Sequence, residues 1–121
     1  MVVAIILGAV LAFLSVAFGA FGAHALKDKF KEVRYAENWE TACRYQMYHG
    51  LGLISIGILT EVLGASGALT SATYLMFAGT LIFSGSLYIL SLTGIRKLGA
   101  ITPIGGLLML VAWILVIIAA L

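Results

Sequence analysis

The distribution of polar residues divides the chain into four long apolar runs. Residues 2–26 carry no charge. A second run, from about 45 to 63, holds a single acid, Glu61, two residues from its end. Residues 72–93 and 98–120 are again uncharged. Each run is near or above the roughly 20 residues that a helix needs to cross a hydrocarbon layer about 30 Å thick. None shows the short period-two alternation of a transmembrane barrel, and four strands do not close one. In lipid only helices and closed barrels satisfy their own backbone, so the pattern predicts four transmembrane helices.

The joints are equally legible. The first is long and charged, and "AENWETACRYQMYHG" within it is rich in helix formers, with Glu40 and Arg44 spaced as an i,i+4 pair. A helix is therefore predicted over about 35–44, able to run straight into the second crossing. Trp39, Cys43, Gln46, Gly50 and Leu53 fall on one face of it. Gly64 is positioned to end the second crossing and Gly94 the third. The fourth has two readings. Thr102–Pro103 resembles an N-cap followed by proline at the first helical position, which favours a helix over 103–120 of about 27 Å. The other start is at Leu98, with a kink at Pro103.

Composition supports this frame. Of 121 residues, 63% are hydrophobic and 10% charged, against about 25% charged in a soluble domain. Nine of the charged residues lie between Lys27 and Arg44, and Arg96 and Lys97 form a pair in the third joint. All seven Lys and Arg thus lie in the first and third joints, and none in the second joint or at either terminus. The positive-inside rule then places joints one and three in the cytoplasm and both termini outside, in an antiparallel all-α bundle integral to the cell membrane. A cleaved export signal ending at Ala23–Ala25 is disfavoured. No Lys or Arg precedes the first run, the run exceeds a signal core, and the positive charge follows it.

Small residues recur at helical spacing. Gly8, Ala12, Ser15, Gly19 and Gly22 form a heptad stripe on the first helix, and Gly79, Gly85 and Gly105 lie in similar seven-residue series on the third and fourth. Such stripes let helix backbones approach closely where lipid supplies no hydrophobic drive between them. Partners expected from this surface are membrane lipids, with a homo-oligomer and an unidentified membrane protein as the further classes. The net charge of +2 and the lack of a basic tract give no argument for nucleic acid.

Polar groups inside the runs define the candidate chemistry. His24, Gln46, His49, Ser84, Tyr88 and Thr102 are predicted to gather at the cytoplasmic mouth, with His24 and His49 able to share a depth on adjacent antiparallel helices. Buried polar groups in hydrocarbon seek partners, so mutual hydrogen bonding is the leading reading and a proton or small-ligand site the sharper one. Two imidazoles without a spaced third ligand make metal or haem binding a minor reading, and no cofactor is expected. No nucleophile elbow, phosphate loop, dinucleotide fingerprint or carboxylate pair occurs. The loops are too short for a catalytic domain. A non-enzymatic accessory or scaffold role leads, with a small oligomeric transporter or channel as the alternative.

"GAFGAHAL", "YQMYHGLGL", "FSGSLY" and "ITPIGG", in this order, span nearly the whole chain. Together they resemble the family of small four-helix membrane proteins of unknown function that includes bacterial YgdD-like and YwdK-like proteins. The resemblance marks Gly19 to Leu26, Tyr45 and His49, Phe83 to Tyr88, and Ile101 to Gly106 as the motif positions. It implies an inner or plasma membrane location and supplies no reaction, substrate or catalytic role.

Overall fold

Apolar runs without charge can satisfy their backbone only by coiling, and the computed structural model, which describes residues 1–121, is helical almost throughout. Its helices are α1 (Val2–His24), α2 (Val33–Leu63), α3 (Gly67–Thr93) and α4 (Thr102–Ala120), with a 3-10 turn at Arg96–Ala100. Three segments are long and apolar enough to cross a membrane: α1, α3, and α4 together with its leading turn. The α2 helix falls outside that set because its apolar half carries Gln46, His49 and Glu61. It is nevertheless one unbroken 31-residue helix.

The helix ends follow local chemistry. The Ser66 side chain caps α3 by accepting the Leu69 N–H at 3.2 Å, which carries the helix five residues further back than the predicted start at 72. Gly94 ends α3 in the left-handed region at φ 72°, and its N–H donates to the Leu90 carbonyl at 2.7 Å. Gly64 ends α2 at φ 89°, another backbone position that side-chain-bearing residues rarely adopt. The predicted N-cap role of Thr102 is corrected. Ile101 holds the cap position and Thr102 is the first helical residue. Its hydroxyl is already engaged, donating to the Leu98 carbonyl at 3.2 Å and meeting the Ser86 hydroxyl at 2.5 Å. The two readings of the α4 start therefore merge. A 3-10 turn occupies Arg96–Ala100, and the α-helix proper begins one residue before Pro103.

Two helical hairpins, α1–α2 and α3–α4, are each clasped by a glycine pair. A Cβ on Gly50 would lie 2.9 Å from the Gly8 carbonyl oxygen, and a Cβ on Gly8 would collide with the Gly50 carbonyl. Likewise a Cβ on Gly79 would lie 2.8 Å from the Gly105 carbonyl oxygen. Only hydrogen fits at these crossings, and the close approach supplies the dispersion contacts that hold helices in lipid. The stripe on α1 is thus used selectively: Gly8, Ser15 and Gly22 are buried. A Cβ on Gly19 or on Gly85 meets nothing within 4 Å, so these two glycines are not packing positions.

The hairpins join through α2 and α3, around Leu53, Ile56, Leu69, Ala72 and Met76. Helix α1 makes no contact with α4. The four helices therefore form an open row and not a closed ring, with α1 and α4 at its edges. Their outward faces are apolar, with Phe13 72% and Leu110 63% exposed. At the opposite end from Gly64, a Cβ on Gly94 would lie 3.2 Å from the Tyr35 hydroxyl, so the first and third joints meet at one end of the row.

Candidate functional site

The face predicted on α2 is the inner one. Trp39, Cys43, Gln46, Gly50 and Leu53 are all buried there. From this face a polar seam ties α2 to both neighbours. Trp39 Nε1 donates to the Phe18 carbonyl at 2.9 Å, and Gln46 Nε2 to the Leu11 carbonyl at 2.8 Å. In the reverse direction Ser15 Oγ donates to the Cys43 carbonyl at 2.7 Å. On the other side Ser84 Oγ donates to the Ala42 carbonyl at 2.8 Å, and Tyr88 Oη to Gln46 Oε1 at 2.6 Å. A helical carbonyl has two lone pairs and spends one within its helix, so it can take such a second bond. Every buried side-chain nitrogen and oxygen in the chain has a partner.

Gln46 is the centre of the seam. It is 4% exposed and bridges three helices, through the Leu11 carbonyl on α1 and the Tyr88 hydroxyl on α3. The Tyr88 ring is held edge-on by Phe18 and Trp39, at centroid distances of 5.3 and 4.7 Å.

The predicted mouth cluster resolves into separate groups. Gln46, Ser84 and Tyr88 share the seam. Thr102 pairs with Ser86 at the α3–α4 junction instead. His49 turns towards α4. Its Nε2 accepts from Trp113 Nε1 at 3.0 Å, and its Nδ1 meets the Tyr45 carbonyl at 2.7 Å. An indole only donates and a carbonyl only accepts, so these partners assign the neutral tautomer with the proton on Nδ1. His24 is exposed at the end of α1. It does not share the depth of His49, which corrects that expectation. Gly8 lies against Gly50 and Gly22 against Trp39, so His24 is level with about residue 37 of α2. His49 is then about 18 Å further along, at 1.5 Å per residue. The two imidazoles are too far apart to share one iron. No three His, Cys, Asp or Glu side chains converge.

Trp113 is the partner that sequence reasoning missed. Its signal was an indole N–H in an uncharged helix, a donor that needs an acceptor within reach. Ser15, read as a packing residue, is also a donor of the seam.

Apolar outward faces, helices long enough to span, and polar side chains spent on neighbouring helices define a polytopic helical membrane protein. The comparisons narrow this class. Residues 18–106 match the family described as "Protein of unknown function (DUF423)". The UPF0382 membrane protein YwdK of Bacillus subtilis (strain 168) is 51% identical over 120 residues, covering 99% of this chain and 97% of its own. The UPF0382 membrane protein SH2409 of Staphylococcus haemolyticus is 53% identical over 115 residues, covering 95% and 92%. The chain belongs to this family of membrane proteins of unknown function. No solved structure matches it.

Proposed function

We propose that this protein is a non-enzymatic accessory or scaffold of the cell membrane, offering the outer faces of α1 and α4 to a partner membrane protein or to a second copy of itself. The observation that carries this reading is the open row. Two of the four helices are edges with no α1–α4 contact to close them. The buried polar groups support it from the other side, since each is already bonded within the chain and serves cohesion. In this reading residues 45–63 of α2 form the fourth crossing. Gly57 lies level with Met1 and Gly50 with Gly8, so residues 45–57 run antiparallel beside the N-terminal half of α1 and share its apolar depth. Joints one and three face the cytoplasm, an assignment supported by their seven Lys and Arg. Photocrosslinking in cells from Phe13 on α1 and Leu107 on α4 tests the reading. Discrete protein adducts are expected from these faces and not from a probe at buried Met76. Lipid adducts alone, with strictly monomeric protein in mild detergent, would refute it.

The alternative, a small oligomeric transporter or channel, draws on a hollow of about 150 Å³ beside Gln46, Ser84 and Tyr88, open between α1 and α3. Solute flux in proteoliposomes that is lost on Gln46→Met would favour it over the scaffold.

A further inference from the structure

The seam ends where α1 reaches the charged joint, and a larger cavity opens there. Beyond His24 the chain folds back, bringing the Phe30 ring to 5.9 Å from that of Trp39. The resulting cavity, of about 500 Å³, is bounded by Gly19, Gly22, Lys27, Phe30, Trp39 and Arg44. That volume lies within the range of small-ligand sites, roughly 300–1,000 Å³.

Its two ends differ in chemistry. At the inner end the wall is smooth and apolar. A Cβ on Gly19 would meet nothing within 4 Å, and the indole N–H of Trp39 is spent on the Phe18 carbonyl. Lys27 stands at the outer end, while Arg44 starts deeper, level with about Ser15, and its guanidinium reaches back towards the joint. Arg44 is paired with Glu40, which also lines the cavity, at 2.5 Å. Lys27 takes part in no ion pair. The titratable side chains of the lining thus leave one net positive charge, held by the Lys27 ammonium above an apolar slot.

Depth selects the occupant. The uncharged run of α1 ends at Leu26 and the first charge is Lys27, which puts the boundary between Gly19 and Lys27, at about the level of Trp39. The cavity straddles this boundary, with Lys27 on the water side and Gly19 on the lipid side. We propose that it holds one anionic glycerophospholipid, its phosphodiester against Lys27 and Arg44 and the start of one acyl chain along Gly19. One free cation matches one phosphodiester charge. The slot at Gly19 gives the chain a bed that a soluble anion would leave empty. This assignment is independent of which compartment the charged joint faces and of any scaffold role.

Native mass spectrometry of the purified full-length chain in non-ionic detergent tests it, using equal amounts of dioleoylphosphatidylglycerol and dioleoylphosphatidylcholine as probes. Wild type retains the glycerol lipid preferentially. Lys27→Gln lowers that preference about fivefold, the scale of one cation beside an anionic headgroup. Lys97→Gln, which removes a cation of the other joint, leaves it unchanged. Gly19→Leu fills the apolar slot and reduces retention of both lipids, while helix content by circular dichroism stays at the wild-type value because a Cβ here meets no protein atom within 4 Å and the rest of the side chain extends into the cavity. Equal retention of the two lipids by wild type, or wild-type retention by both Lys27→Gln and Gly19→Leu, would overturn the proposal. Displacement of the lipid by excess glycerol 3-phosphate would overturn the lipid assignment in favour of a soluble phosphate ester.

Discussion

The bond between Tyr88 and Gln46 is the best place to measure what the polar seam contributes. Tyr88→Phe removes one hydroxyl and keeps the ring, so the edge-on contacts with Phe18 and Trp39 survive. It leaves Gln46 Oε1 without its 2.6 Å donor. Gln46→Met keeps the side-chain volume but removes both that acceptor and the donor to the Leu11 carbonyl. The Tyr88 hydroxyl is then left with only the Cys43 sulfur, a weak acceptor at 3.5 Å. Interhelical hydrogen bonds in membranes average about 0.6 kcal/mol and reach about 1.7. Tyr88→Phe is therefore expected to cost about 0.6–1.7 kcal/mol, and Gln46→Met about 1–3, since it breaks two such bonds. The double variant decides the matter. Removing both partners leaves no orphaned group, and this is cheaper than removing either alone would suggest. The coupling energy should then be about 0.6–1.7 kcal/mol, and adding Tyr88→Phe to Gln46→Met should cost little further stability. The cycle can be measured by reversible unfolding in mixed dodecyl maltoside and dodecyl sulfate micelles, followed by far-UV circular dichroism. Additivity within about 0.3 kcal/mol would refute the bridge.

Other parts of the structure make independent predictions. Gly50→Ala and Gly79→Ala should each destabilise by about 1–3 kcal/mol, because their Cβ atoms press on facing backbone; Gly19→Ala and Gly85→Ala should be neutral or stabilising by up to about 1 kcal/mol. The same unfolding titration separates the two groups, and equal costs would remove the glycine clasps. In ¹⁵N spectra of the imidazole, His49 should give the pattern of a neutral ring protonated on Nδ1, and Trp113→Phe should move the Nε2 resonance; an Nε2-protonated ring would contradict the assigned partners. In a Cys43→Ala background, Lys29→Cys and Lys97→Cys should resist an impermeant maleimide in intact cells while Ser66→Cys reacts, and the reverse labelling would invert the orientation.

The helices were legible because charge and helix-breaking chemistry are concentrated at the joints. Gly64 and Gly94 end helices where the residue types require it, and Arg44 and Glu40 pair at helical spacing. The inner face of α2 was legible for the same reason, since periodicity alone gathers Trp39, Cys43, Gln46, Gly50 and Leu53. Contacts between helices were only half legible. Periodicity says which residues share a face but not how far along two faces touch. Straight helices drift about 20° per heptad against a 3.5-residue repeat, and of the α1 stripe Gly19 ends beside the cavity while Gly8 and Gly22 pack on α2. The depth of the histidines failed for a related reason. Helix α2 begins at Val33, so its first two to three turns stand beside the end of α1 and move His49 inward. Thr102 misled as an N-cap because a Thr side chain can satisfy a neighbouring helix as well as its own start.

The way the polar bonds are distributed bears on how the molecule comes apart. Each helix in lipid satisfies its own backbone, so a membrane protein can lose tertiary contacts without losing helices. The glycine clasps at Gly8–Gly50 and Gly79–Gly105 act within hairpins. Between hairpins the polar ties are few: Gln46 with Tyr88, Ser84 with the Ala42 carbonyl, Cys43 with Tyr88, and His49 with Trp113. All four leave α2 over the eight residues from Ala42 to His49, on the charged-joint side of the apolar contacts. The other half of the α2–α3 junction is apolar, around Leu53, Ile56, Leu69 and Met76, and in a bilayer such contacts have no hydrophobic advantage over lipid tails. Substitutions in the seam should therefore let the hairpins splay at the joint end while each stays intact. Clasp substitutions should open a hairpin and leave the seam residues of α2 and α3 in place. In the proposed scaffold role, such splaying would change the spacing of the edge helices α1 and α4 without unfolding either hairpin, so seam variants are expected to alter crosslinking from Phe13 and Leu107 while clasp variants lower stability.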